Sequence, residues 1–157
     1  MGFCLPENCK IIDGLTPTDG NGAQLTSDVI SVKNYHKLYA VVKHHDVTGA
    51  AVRFNVMTDS AVGAGSLAAI VNTCRIWSNL DTATSDTLVE RTAAVQYTDD
   101  GVAGDKLIVF EIDPAKLADG EDCVAIQTNA VVVATNIVDI TFYGVPRYEG
   151  RVLTQPS

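Results

Sequence analysis

Lys106-Leu-Ile-Val-Phe-Glu-Ile112 is the stretch on which the fold turns. Its period is two: Leu107, Val109 and Glu111 face one way, and Ile108, Phe110 and Ile112 face the other. The second set makes the better core face. Asp99-Asp-Gly101 punctuates the chain before this strand, and Asp113-Pro-Ala-Lys-Leu117 follows it. The latter has an N-cap, a proline at the first helical position and an Asp119-Gly120 stop, which together predict one short helical turn.

The same alternation recurs on either side. Leu38, Ala40 and Val42 alternate with Tyr39, Val41 and Lys43 over Leu38 to His45, and Val52, Phe54 and Val56 alternate with Arg53, Asn55 and Met57. Asp46-Val-Thr-Gly49 between them reads as a hairpin connection with Gly49 at positive φ, so these two strands are expected to pair antiparallel. Val29 to Val32, Arg75 to Ser78, Leu88 to Thr92, Cys123 to Thr128 and Ile137 to Tyr143 add further strands, and Val95 to Thr98 reads as a continuation of the Leu88 to Thr92 sheet after a bend. Val131 to Ala134 is either an intervening strand or a sheltered connection, and Ala61 to Ile70 is a loop or one turn of helix. About seven to nine short strands with regular turn signals predict an all-β fold, an antiparallel β-sandwich, with a closed barrel as the rival. Composition agrees: 20 Val against ten Leu, 15 Thr, and 14 Asp against five Glu suit pleated surfaces joined by turns.

Residues 1–27 break this pattern. Pro6, Gly14, Pro17, Gly20 and Gly22 leave only Ile11-Ile12 as an apolar pair, and the segment reads as an extended N-terminal arm outside the sandwich. Such an arm lies along its own domain or reaches onto a neighbouring subunit. The expected organisation is therefore an arm at 1–27, a sandwich domain at 28–149 and a flexible tail at 150–157.

At 157 residues and a net charge of −8, the chain is one acidic domain, for which nucleic acid is an unfavourable partner. It is 46% hydrophobic and long enough to bury about two-thirds of its unfolded surface, so neither a metal nor a disulfide is required for a core. The N-terminus lacks a basic region followed by an apolar run, and the longest uncharged stretch, Cys123 to Val138, contains Gln127, Thr128, Asn129, Thr135 and Asn136. A secretory signal and a membrane span are not expected. Cys4 and Cys9 are close enough for a disulfide or metal clip, or are two reduced thiols, while Cys74 and Cys123 read as small core residues.

No residue set is assigned a catalytic, cofactor or metal role. His44 and His45 are adjacent on a strand and point to opposite faces, so they do not converge on one ion, and His36 stands apart. Asp99, Asp100 and Asp105, and separately Asp119, Glu121 and Asp122, offer the hard oxygens calcium prefers, but neither group follows the Asp-x-Asp-x-Asp-Gly pattern and acidic residues are common at β-turns. Gly63-Ala-Gly65 is a fragment of a nucleotide-binding glycine pattern without its third glycine or a helix. Trp77 and Tyr35, Tyr39, Tyr97, Tyr143 and Tyr148 supply aromatic surface for sugar stacking or for packing.

The strings Met1-Gly-Phe-Cys-Leu-Pro-Glu-Asn-Cys9, Ser31-Val-Lys-Asn-Tyr-His-Lys-Leu38, Ile76-Trp-Ser-Asn-Leu-Asp-Thr-Ala-Thr-Ser-Asp-Thr-Leu88 and Val109-Phe-Glu-Ile-Asp-Pro-Ala-Lys-Leu117 resemble a family of small proteins encoded among the virion structural genes of tailed bacteriophages. The resemblance spans most of the chain and implies an accessory structural role, foremost a capsid decoration or cement protein without enzymatic activity. It carries over no site residues. The partners it implies are the major capsid protein and copies of the chain itself, in a homo-oligomer such as a trimer on the head lattice, assembled in the host cytoplasm. A tail or neck position, or a carbohydrate- or receptor-binding module, is the alternative.

Overall fold

The computed structural model describes residues 4–63, 65–129 and 135–147. Among them are eleven strands: β1 Lys10–Asp19, β2 Ile30–Ser31, β3 Tyr35–Asp46, β4 Arg53–Asp59, β5 Ala68–Ala69, β6 Cys74–Asn79, β7 Val89–Ala94, β8 Gln96–Thr98, β9 Gly104–Ile112, β10 Cys123–Thr128 and β11 Ile137–Pro146. One sheet has the order β1-β11-β3-β9-β6-β7; the other runs β2-β10-β4-β5, with β8 also paired to β4. All pairings are antiparallel, which makes the fold a β-sandwich as the periodicity predicts. A helical turn over Leu5–Asn8 precedes β1. The predicted turn after β9 is a 3-10 turn over Pro114–Lys116, capped by the Asp113 carboxylate, which accepts from the Ala115 N–H.

The core is the meeting of two inner faces. Leu38, Ala40 and Val42 of β3, Ile108, Phe110 and Ile112 of β9, and Val138, Ile140 and Phe142 of β11 pack with Phe54 and Val56 of β4 and Val124 and Ile126 of β10, all without solvent exposure. Fully burying one large side chain of this kind contributes about 1.5–3 kcal/mol. The strict alternation along β3, β9 and β11 is therefore the main source of cohesion.

Three expectations change at the edges. The connection at Asp46–Gly49 does not close a hairpin, because both edges of β3 are occupied by β11 and β9 while β4 belongs to the other sheet. Gly49 has the expected positive φ of 73°, but the turn sends the chain across the end of the sandwich. Val95 to Thr98 likewise does not continue the sheet of β7. The chain crosses over at Val95, β8 pairs with β4, and Val95 and Tyr97 pack on the core.

The third change concerns the arm, of which residues 10–19 are the edge strand of the larger sheet, paired to β11. Further along, Leu25 N–H donates to Thr128 Oγ1 and Ser27 N–H to the Ile126 carbonyl, so the segment also borders the second sheet. No domain boundary falls at 27/28; the segment lies along its own domain. Register breaks at Asp13/Leu15 and Leu15/Thr18, together with Pro17, erase the period-two pattern that would have marked a strand. The tail at 150–157 and Val131 to Ala134 lie outside the described residues.

Gly144 of β11 is buried beneath the Tyr35 ring, where an added Cβ would stand 2.6 Å from Cδ1. Tyr35 is 8% exposed and has little room to retreat. Gly144→Ala is expected to cost about 1–3 kcal/mol through this overpacking, read as a lower urea midpoint with an unchanged m-value.

Candidate interaction surface

Opposed residues in an antiparallel pair share a face, so the register of the larger sheet dictates what its outer surface presents. One row across β11, β3, β9 and β6 is Tyr143, Tyr39, Glu111 and Arg75; the next is Thr141, Val41, Val109 and Trp77. The aromatic and aliphatic members are half-buried, and Ile11, opposite Tyr143 on β1, is 48% exposed. Ion pairs border them: Lys37 to Glu111 at 2.7 Å, Arg75 to Glu90 at 2.9 Å and Lys43 to Asp139 at 2.9 Å. The Arg75 guanidinium also lies 4.7 Å from the Trp77 ring centroid. The exposed Arg75–Glu90 pair adds little stability, and together with the partly buried Lys37–Glu111 and Lys43–Asp139 pairs it fixes the orientation of the side chains around the apolar band.

Along the same face toward Asp46 lies a groove of about 520 Å³ lined by Lys43, His45, Thr82, Asp105, Leu107 and Asp139, among others. The His45 imidazole is paired with the Asp105 carboxylate at its rim, both half exposed. His44, the next residue on β3, is buried on the inner face, so the two histidines diverge as the strand geometry requires. His36 is exposed at the other end of β3.

Beneath the groove, the end of the sandwich holds a buried polar knot. The Lys106 ammonium meets Asp100 at 3.0 Å, Asp46 at 3.2 Å and Asp99 at 3.4 Å. His44 Nδ1 donates to Asp99 at 2.8 Å, and Asn136 Nδ2 donates to Asp46 at 2.9 Å. The side chains of His44, Asp46, Asp99 and Lys106 have no solvent exposure. Burial by itself raises a carboxyl pKa, yet Asp99 is held below its ordinary value by His44, the N–H groups of Val52 and Gly101, and Lys106. For Asp46, the Gly49 N–H, Lys106 and Asn136 likewise outweigh burial. Burial by itself lowers an ammonium pKa, yet Lys106 is raised by Asp100, Asp46 and Asp99.

Asp99 and Asp100, weighed as calcium ligands, therefore converge with Asp46 on a cation supplied by the chain itself. Asp105, the third member of that group, pairs with His45 instead, and Asp122 of the second group pairs with Lys33 at 2.9 Å. The His44–Asp99 pair has the form of a catalytic dyad, but the ring packs edge-on against Phe54 and Nε2 is buried without a partner among the described residues. No substrate reaches it in this arrangement. The four cysteines are free thiols, with Cys9, Cys74 and Cys123 buried and the Cys74 thiol pushed up to about 11 by burial. Of the aromatic residues, Trp77, Tyr39 and Tyr143 share the outer face, Tyr35 is buried, Tyr97 bonds the Ser78 hydroxyl, and Tyr148 lies outside the described residues. Gly63 and Gly65 take positive φ in the loop after Asp59, whose carboxylate accepts the N–H groups of Ser60 and Ser66.

No family model and no curated protein matches the chain. Among solved structures it is similar to the SPBc2 prophage-derived protein YomS, at 12% identity over 87% of this chain and 91% of that one, with a TM-score of 0.47. A likeness at that level carries no argument about function.

The knot escaped sequence reading although its signal was there. Extending the core-face set Ile108, Phe110, Ile112 back by two places Lys106 on it, and extending Leu38, Ala40, Val42 forward places His44 on the same inner side. A lysine and a histidine on facing core stripes require buried partners.

Proposed function

We propose that the chain is a bacteriophage virion structural protein, most specifically a capsid decoration protein that acts by binding its neighbours and turns over no substrate. The observation that carries this reading is the outer face of the larger sheet, where Tyr39, Val41, Val109, Tyr143 and Trp77 form an apolar band on a six-stranded, register-locked surface. Interfaces concentrate aromatic residues in this way at their centres and leave charged pairs at the rim. The resemblance of the four sequence strings to virion proteins of tailed phages supports the same reading. Under this reading a homo-oligomer engages several symmetry-related lattice positions at once, and its linked weak contacts convert modest affinity into high occupancy.

Electron microscopy of the native particle tests the proposal by locating the chain and counting its copies. Density on the outside of the head at symmetry-related positions is expected. Density confined to the tail or neck removes the decoration role while keeping the structural one. A second reading, a sugar-binding module, is favoured by Trp77, Tyr39 and Tyr143 sharing one face, and a glycan array signal abolished by Trp77→Ala is the result that would select it.

A further inference from the structure

Lys106, Asp46 and Asn136 come together at one end of three neighbouring strands. Lys106 of β9 is opposite His44 of β3, Asp46 ends β3, and Asn136 directly precedes the Ile137–His45 pair that opens β11. The three residues are 2%, 1% and 0% exposed, respectively. One carboxylate joins them: Asp46 Oδ2 is 3.2 Å from Lys106 Nζ, and Asp46 Oδ1 accepts from Asn136 Nδ2 at 2.9 Å. The oxygen of the same amide is also held. Asn136 Oδ1 accepts the Val47 N–H at 2.9 Å and the Thr48 hydroxyl at 3.5 Å, which fixes the orientation of the amide. A buried primary amine, a primary amide with donors on its carbonyl oxygen and a carboxylate shared by both nitrogens are the parts of an acyl transfer.

We infer that Lys106 and Asn136 join in a side-chain amide cross-link within the folded chain, with Asp46 as the catalytic residue. This goes beyond the decoration reading and does not rest on it. The ion-paired knot is the reactant. Asp46 takes one proton from the Lys106 ammonium, and the freed lone pair of Nζ attacks Cγ of Asn136. The carbonyl electron pair moves onto Oδ1, where the Val47 N–H and the Thr48 hydroxyl hold the oxyanion. Asp46 then gives its proton to Nδ2 and takes a second one from Nζ. The carbonyl re-forms, the Cγ–Nδ2 bond breaks and ammonia leaves. One C–N bond replaces another, so no oxidant or reductant is consumed. The three carboxylates favour the ammonium form of Lys106, which makes the reactive amine a minor species and the reaction slow, but escape of ammonia draws it in one direction. Confinement of amine and amide on one carboxylate supplies the proximity that such a reaction lacks in free solution. Asp46, Asp99 and Asp100 also touch Nζ, but an ionised carboxylate is a far poorer acyl donor than a neutral amide. The product suits its surroundings, because a neutral amide replaces a buried ammonium. Asp46 is left protonated, Asp99 keeps its bonds to His44 and to the N–H groups of Val52 and Gly101, and the Asp100 side chain is 37% exposed to water. The bond ties β9 to β11 across β3 and restricts the unfolded chain as a disulfide does.

The test is the intact mass of the full-length wild-type chain after prolonged incubation in native buffer, beside chain purified and kept in guanidinium chloride. The native chain is expected to be lighter by one ammonia, about 17 Da, and the unfolded chain to keep its sequence mass. Tryptic digestion of the native chain is expected to give one branched peptide that joins the segments around Lys106 and Asn136, with no cleavage after Lys106. Asp46→Asn is expected to keep its ammonia while circular dichroism still reports strand; should that variant unfold, the wild-type mass decides alone. A native chain that retains its sequence mass overturns the inference. Loss of one water, about 18 Da, moves the bond to an aspartate and overturns the assignment of Asn136. Ammonia lost within a linear peptide marks a succinimide and overturns the cross-link, and an Asp46→Asn chain that closes at the wild-type rate overturns the role of Asp46. Each of these results leaves the decoration reading where it stands.

Discussion

Lys106→Met is expected to destabilise the domain by about 3–5 kcal/mol, because it leaves buried carboxylates without their cation. For a domain of this size that corresponds to a fall in melting midpoint on the order of 10 °C. The sign of the pH response identifies the cause. In the wild type the pKa values of Asp46 and Asp99 are depressed, so their contribution is present above the unfolded carboxylate value near 3.8 and is lost as pH falls through the lower folded values. Lys106 is raised, so its share is present below the ordinary lysine value of 10.5 and is lost as pH rises through the higher folded one. Removing the ammonium takes away one of the influences that oppose burial at Asp46 and Asp99, so their pKa values rise, while the bonds from His44, Asn136 and the backbone N–H groups remain. The variant is then relieved by acid: as pH falls from 7 through the carboxylate range, the gap between wild type and variant narrows in urea unfolding. A gap that stays constant, or widens, would mean that Lys106 contributes through packing of its aliphatic stem alone.

Phe142→Ala is the second large effect, at about 3–5 kcal/mol for a fully buried phenylalanine. Phe142 has no exposure, and its ring lies on Gly14, where a Cβ would collide with it. The ring therefore joins the core to the edge strand β1 as well as filling the middle of β11. Loss of global stability is expected to be accompanied by selective loosening of residues 10–19, seen as faster amide exchange in β1 than in β3 or β9 under native conditions. Uniform acceleration across all three strands would show that β1 is held by its backbone pairing to β11 and not by this ring. The same coupling bears on any truncation: deleting residues 1–27 removes an edge strand, and a loss of particle binding on deletion is interpretable only with the melting midpoint of the truncated chain beside it.

The strands that could be read directly are those with one face in the core and undisturbed pairing on both sides. In β3, β4, β9 and β11 burial forces the alternation, so composition at every second residue carries the information, whereas β10 is buried on both faces over its first four residues. In β1 it does not. Two register breaks, Pro17 and a glycine under an aromatic ring leave a strand whose defining contacts are made by Phe142 and the β11 backbone, at the far end of the sequence. The candidate site divides in the same way: His44 and Asp46 extend the core stripe of β3, Lys106 that of β9 and Asn136 that of β11, but which of them meet, and that Asp99 joins them from beyond β8, is set by contacts across strands.

Local periodicity by itself determined the fold class, the inner faces of β3, β4, β9 and β11, the divergence of His44 from His45 and the capped turn at Pro114–Lys116, because these depend on neighbours within a few residues. Which sheet each strand joins, the enlistment of residues 10–19 as an edge and the gathering of three carboxylates around one lysine were decided only by tertiary structure. Partner choice in a sheet is a long-range matter of edge hydrogen bonds. A turn signal such as Asp46-Val-Thr-Gly49 says that the chain reverses without saying onto which edge it returns.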